Sequence, residues 1–348
     1  MVKKMGNKGN EIIDPDNSTP LFKKMKAIVC TKYGPPDVLQ LREVEKPTPK
    51  DNEVLIKIHA TTVTAGDCEL RGLKFSFWLR NLMRLGFGFR RPRKKILGME
   101  LAGEIKSVGK DITLFKKGDQ VFGTTGMSLG PYAEYICLRE ERRFGTLALK
   151  PNNMTYEEAA AVPIGGLEAL YFLGKGNIQS GQKILIIGAS GTIGTFAIQL
   201  AKYYGAEITA VGNPTSLEVM KSLGAAKVID YTKEDFTNSG EIYDVIFDVV
   251  CKSPISDYKK SLKENGLLLL ANTMLTRKTR GLGSSKKVIA VSASPKKEDL
   301  ICLRELIEAG KIKTVIDRRY TLEQIPEAHS YVDKGQKTGN IVINVEES

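Results

Sequence analysis

The chain has 348 residues, 42% of them hydrophobic and 26% charged, which suits about two soluble domains with full cores. No apolar run approaches the ~18 residues of a membrane-spanning helix, and the polar start lacks the apolar stretch of a secretory signal. Five scattered cysteines and two histidines leave no disulfide framework or C-x-x-C knuckle, so a reducing, cytoplasmic compartment is expected. The net charge of +12 is concentrated. Nine basic residues and no acid lie between Arg71 and Lys95, which favours one specific anionic neighbour over nucleic acid.

In chain order, residues 1–24 show no periodicity and read as a disordered leader. From Met25, MKAIVC, VLQLREV, EVLIKIHATTV, LAGEIKSVG, DQVFGT and YAEYICL alternate or run β-branched between Gly/Pro turns. They predict a mainly antiparallel β unit. Inside it, Phe75, Trp78, Leu79 and Leu82 fall on one side at helical spacing. Arg71–Lys95 is therefore either a partly helical flap with solvated charges or a basic amphipathic stretch for an anionic membrane surface. Thr155 with Glu158 forms a capping-box signature, after which strands alternate with helices. KILIIG, AEITAVG, KVID, YDVIFDVV, GLLLLAN and KKVIAV are nearly all apolar, as strands of a parallel sheet covered on both faces should be. The end reads as helix PKKEDLICLRELIEAG, strand IKTVID, helix EQIPEAHSYVDKG and strand NIVINV.

The sharpest chemical signal is KILIIGASGTIG, Lys183–Gly194. A buried strand runs through Gly188, Ala189, Ser190 and Gly191 into a helix opening with Thr192, Ile193 and Gly194. Small residues let a backbone approach a pyrophosphate, and the helix N-terminus offers N–H groups and a positive dipole end to it. A hydrolase elbow fails because Thr192 stands where its second glycine belongs. A phosphate-binding NTPase loop fails because no Gly-Lys pair is followed by Ser or Thr. At the end of the next strand, Gly212-Asn213-Pro214-Thr215-Ser216 has no acid to bond a ribose 2′-hydroxyl. A 2′-phosphate is tolerated there, and Asn213, Thr215, Ser216 and Tyr231 can bond it. NADPH is thus expected over NADH, unless these residues only make a turn and cap a helix. Val249, Val250 and Asn340 complete the candidate cofactor set.

The glycine turn and the preceding β unit resemble the medium-chain dehydrogenase/reductase superfamily, specifically its zinc-free quinone oxidoreductase branch. The resemblance rests on EVLIKIHATTVTAGD, ILGMELAGEIKSVGKDITLFKKGDQVFG, GPYAEY, AAAVPIGGLEALYFL and SLGAAKVIDYTKEDF in the family's order. It implies a GroES-like catalytic domain over 25–152 and 294–348, a Rossmann domain over 153–293, and a homodimer. Zinc-dependent members carry Cys and His where this chain has Thr64 and Met99, neither a usual zinc ligand, so no zinc is expected. The resemblance places Thr64 and Asp67 at the nicotinamide end of the cleft; otherwise they form a strand-end turn capped by Asp67. Ser216 and Asn340 stand where lysines are frequent, and Cys251 where glycine is common. His59, His329 and the cysteines read as structural. The implied activity is hydride transfer from NADPH to a quinone or an α,β-unsaturated carbonyl. The alternative is a low-turnover NADP(H)-binding regulatory protein.

Overall fold

The structure is a computed structural model. It describes residues 23–75, 77–141, 145–251, 253–271, 285–294 and 296–346, and near the N-terminus only the backbone of two short strands. These strands, β1 (Ile13–Asp14) and β2 (Asn17–Pro20), pair antiparallel within the stretch expected to be a disordered leader. The remaining leader positions lie outside the described residues. β3 (Lys24–Cys30) and β4 (Leu39–Glu45) make a second antiparallel pair.

β5 (Glu53–Val63) leads to helices α1 (Ala65–Gly72) and α2 (Phe77–Phe87). Strands β6 (Glu100–Val108), β7 (Gln120–Thr124), β8 (Tyr135–Arg139) and β9 (Thr146–Leu149) follow. Thr155 caps α3 (Tyr156–Ala160) through a reciprocal capping box with Glu158. Pro163 opens α4 (Pro163–Gly176) at the first helical position, where its missing N–H costs nothing. The alternating stretch then gives β10 (Lys183–Ile187), α5 (Thr192–Tyr203), β11 (Glu207–Gly212), α6 (Leu217–Leu223), β12 (Lys227–Asp230), β13 (Tyr243–Asp248), α7 (Ile255–Ser261), β14 (Leu262–Leu270) and β15 (Lys287–Ala290). The chain closes with α8 (Lys297–Glu308), β16 (Ile316–Thr321), α9 (Ile325–Asp333) and β17 (Asn340–Asn344).

Two sheets organise the molecule. One runs β16-β17-β5-β6-β7-β9, with β8 also on β5, and is antiparallel except at β16–β17. The other runs β12-β11-β10-β13-β14-β15 and is parallel throughout. This is the GroES-like plus Rossmann architecture. Apolar strands such as β10 are buried because helices cover both faces; Phe172 of α4 and Phe196 of α5 pack with Ile184, Ile186 and Phe247 in one core. Strand order reverses between β10 and β13, which opens a crevice at their carboxyl ends.

One strand lies later than its sequence indicates. The apolar alternation of IKTVID predicts a strand from Ile312, but β16 begins at Ile316. The Gln199 side chain of α5 bonds both the N–H and the C=O of Lys313, so a side chain satisfies the backbone that a ladder would otherwise claim. Among the described residues no helix is long and apolar enough to cross a membrane.

Candidate active site

The glycine turn sits at that crevice, and each glycine there has its own reason. Gly188 has φ +82°, and a Cβ on it would meet Val250 Cγ2 at 2.5 Å, so Val249 and Val250 at the end of β13 close over the turn. A Cβ on Gly194 would meet the Gly188 carbonyl oxygen at 2.3 Å and the Ala189 Cα at 2.4 Å, which leaves no side chain possible where α5 presses on the turn. Gly191, the N-cap of α5, is different. Only the Gly188 oxygen, at 3.6 Å, lies within reach of a Cβ there. That is an ordinary contact, so there is room at its α-carbon, and no side chain caps the helix. The first N–H groups of a helix have no intrahelical partner, so this wall is built to take an anionic group and fits a dinucleotide diphosphate.

A segment preceding β17 crosses the turn. The Gly339 N–H donates to the Ser190 carbonyl at 2.8 Å, and the Thr192 hydroxyl donates to the Gly339 carbonyl at 3.0 Å. Lys337 Nζ donates to Thr192 Oγ1 at 2.6 Å and also reaches the Gly339 carbonyl. This ammonium is half-buried at the positive end of α5. Desolvation lowers its pKa to about 8, while Glu100 pulls the other way. Asn340, assigned to the cofactor set, instead turns its amide onto the Val315 carbonyl at 3.0 Å and is buried. The cation near the turn therefore comes from Lys337, three residues earlier. Its signal in the sequence was a lysine close before the position where the resemblance expects one.

At the end of β11 the Asn213 side chain accepts from the Thr215 hydroxyl at 2.9 Å and donates to the Gln336 carbonyl at 3.2 Å. Ser216 is fully buried, its hydroxyl shared between Asn213 and Thr338. It fastens the loop to the crossing segment rather than facing a ligand. Thr215 and Tyr231 are exposed. The Asp230 carboxylate, closing the neighbouring β12, is turned onto the backbone and hydroxyl of Thr232.

Thr64 and Asp67 begin α1 as a reciprocal cap. The Asp67 N–H donates to Thr64 Oγ1 at 3.1 Å, and Asp67 Oδ2 accepts from the Thr64 N–H at 2.9 Å and hydroxyl at 2.7 Å. The strand-end turn offered as their alternative reading is thus formed. Burial pushes the Asp67 carboxyl up to about 6 against the pull of Thr64, Tyr132 and the Gly98 amide. Met99 lies alongside, its methyl 2.9 Å from where a Cβ on Gly66 would stand. A hydroxyl committed to a carboxylate and a thioether do not make a zinc site. Among the described residues no three His, Cys, Asp or Glu side chains gather to hold a metal. These residues do not fit zinc.

Glu100 went unnoticed in the sequence. Fully buried, it accepts from the Thr62 hydroxyl and, at 2.6 Å, from the Ile164 N–H in the first turn of α4. A carboxylate at a helix N-terminus is favourable, and the N-cap Val162 offers no side chain, so Glu100 ties the antiparallel sheet to α4. Desolvation raises its pKa to about 7. His329 is fully buried between the Tyr132 hydroxyl at 3.1 Å and Cys68 Sγ at 3.2 Å, and burial lowers its pKa to about 3. His59 stacks on Tyr156 and pairs with Glu346. Cys251 adopts φ +57°, the left-handed region that explains why glycine is common there.

Two family profiles match the chain: "Alcohol dehydrogenase GroES-like domain" over residues 50–148 and "Zinc-binding dehydrogenase" over 223–343. A 2-methylene-furan-3-one reductase of Solanum lycopersicum is 32% identical over 343 residues, covering 95% of this chain and 82% of the relative. An NADPH-dependent alkenal/one oxidoreductase, chloroplastic, of Arabidopsis thaliana is 30% identical over 345 residues with the same coverage. Among solved structures, the quinone oxidoreductase from Coxiella burnetii superposes with a TM-score of 0.82 at 27% identity, covering 93% of this chain and 100% of that one. With two sheets of this topology, a glycine turn at the crevice of the parallel one and no zinc ligands where zinc would be held, the chain belongs to the medium-chain dehydrogenase/reductase superfamily, in its zinc-free quinone oxidoreductase-like branch.

Proposed function

We propose that the protein is a zinc-independent, NADPH-dependent oxidoreductase that passes hydride to a quinone or an α,β-unsaturated carbonyl. The observation that carries this reading is the open wall at Gly191, crossed by the segment that brings Lys337 to the helix N-terminus. Relatives named as an alkenal/one oxidoreductase and as quinone oxidoreductases supply the substrate class. Five free cysteines fit a reducing, cytoplasmic compartment.

The reduced nicotinamide, when bound, supplies the hydride. The chain does the rest by holding and orienting. Gly191 and the first turn of α5 receive the diphosphate, and Lys337 adds a positive charge there. Exposed Thr215 and Tyr231 stand at the ribose end, where the absence of an acid leaves room for a 2′-phosphate. Val249 and Val250 bound the turn on the other side. Consumption of NADPH against NADH over a panel of quinones, enals and enones tests the assignment. Rapid NADPH oxidation with quinones or enones is expected.

Lys337→Met should weaken NADPH binding by tenfold or more, about 1.4 kcal/mol, as read by quenching of protein fluorescence. The cation is complete below its pKa of about 8, so wild-type affinity should fall as pH rises through that value. The variant should lack this step. An identical pH profile in both proteins would remove Lys337 from the cofactor site.

Thr64 is committed to its cap, which favours a second reading in which the fold binds NADP(H) and turns over slowly. Thr64→Val should cost ~1 kcal/mol of stability through the lost cap, seen as a lower Tm, with turnover changed less than about tenfold. A turnover loss well beyond that at unchanged Tm would show the hydroxyl meeting substrate.

A further inference from the structure

Among its described side chains, helix α2 carries apolar groups on two faces, one covered and one exposed. Met83 and Phe87 pack, with Phe75, against the core of the antiparallel sheet. Leu82, Leu85 and just beyond the helix Phe89 are 55%, 69% and 66% exposed. Leu82 and Leu85, three residues apart, lie on one side of the helix, and Phe89 follows Gly88, whose φ of +116° ends it. The sequence spacing puts Phe75 on one side together with Leu82; the tertiary structure divides these two residues between two faces. The helix end is anchored: the Tyr33 hydroxyl donates to the Gly88 carbonyl at 2.9 Å, and the Arg93 N–H to the Phe87 carbonyl at 2.7 Å. The C-terminal end of the helix is thus tied to the body of the protein.

Charge decides what suits it. Arg71 and Lys74 are answered by Asp333. Arg84 lies over the Phe89 ring at 5.6 Å, and Arg90 and Arg91, next to Phe89 in the chain, are exposed, so positive charge borders the outward apolar face. A patch that combines insertable apolar side chains with a basic border fits the boundary between acyl chains and anionic headgroups. Nucleic acid would use the charges and leave the leucines and phenylalanine in water. We propose that α2 and residues 89–91 dock the protein on an anionic lipid bilayer, with Leu82, Leu85 and Phe89 entering the interface. The contact does not depend on which substrate the enzyme reduces.

Co-sedimentation of the full chain with phosphatidylcholine vesicles containing ~30% phosphatidylserine tests it. Binding is expected to such vesicles and not to pure phosphatidylcholine, and to weaken about tenfold between ~0.1 and ~0.5 M salt. The pair Leu82→Ser/Leu85→Ser should lower the bound fraction at least tenfold at unchanged Tm, as should Arg90→Glu/Arg91→Glu by a separate route. Retention of vesicle binding by the leucine variant would overturn the proposal. So would salt-sensitive binding to a DNA duplex in the absence of vesicle binding. Dissociation of a wild-type dimer by the leucine changes, with no lipid bound by either protein, would assign the face to a second copy of the chain and equally overturn it.

Discussion

Gly191→Val is expected to raise the Kd for NADPH at least a hundredfold, about 3 kcal/mol, while leaving the chain folded. A Cβ on Gly191 would make only an ordinary contact with the Gly188 oxygen, at 3.6 Å, and its φ of −82° is open to any residue. The new side chain would stand where a diphosphate must approach. Gly194→Ala makes the contrasting case. Its methyl would lie 2.3 Å from the Gly188 oxygen, a backbone atom that cannot step aside without moving the helix. Overpacking of this kind costs about 1–3 kcal/mol, so Gly194→Ala should lower Tm and impair binding through the turn itself. Calorimetric titration with NADPH and thermal denaturation of both variants separate these outcomes. Tight NADPH binding by Gly191→Val would place the nucleotide elsewhere.

Catalytic efficiency is expected to be more than a hundredfold higher on quinones or enones than on saturated ketones and alcohols. Hydride added to an isolated carbonyl builds an alkoxide that must be stabilised where it forms. The positions that would hold a zinc for this purpose are Thr64, with its proton directed to Asp67, and the Met99 thioether. His329 is buried between Tyr132 and Cys68 with its pKa lowered to about 3, so it is no proton donor at neutral pH. Addition to a conjugated acceptor spreads the charge to a more distant oxygen, and orientation with a few hydrogen bonds meets that smaller demand. Each ~1.4 kcal/mol of missing transition-state stabilisation is tenfold in rate, so a deficit near 3 kcal/mol gives the stated contrast. Steady-state rates on a matched enone, its saturated ketone and the corresponding alcohol measure it. Comparable efficiencies on all three would show the assignment of reaction type to be wrong.

The parallel sheet and the glycine turn were legible in the sequence because their determinants are local. An apolar strand, small residues at fixed spacing and a helix start are written within Lys183–Gly194, and burial on both faces of the sheet leaves β10 and β13 little choice of composition. The capping box at Thr155 is likewise contained in four residues. The Thr64 and Met99 substitutions disclosed the lack of zinc ligands without any structure, since coordination chemistry depends first on atom type. Other features depended on partners distant in the chain. Lys337 meets Thr192 across 145 positions, and Glu100 meets Ile164 across 64; neither pairing has a periodicity to betray it. β16 was read four residues early because Gln199, from another element, satisfies the Lys313 backbone. Asn340 and Ser216 have the right chemistry for a cofactor but were turned inward by Val315 and by Asn213 with Thr338. The sequence by itself therefore determined which elements form and which chemistry is available. The tertiary structure decided which polar groups remain free to use that chemistry, because a buried donor or acceptor must first be satisfied by whatever the fold brings beside it.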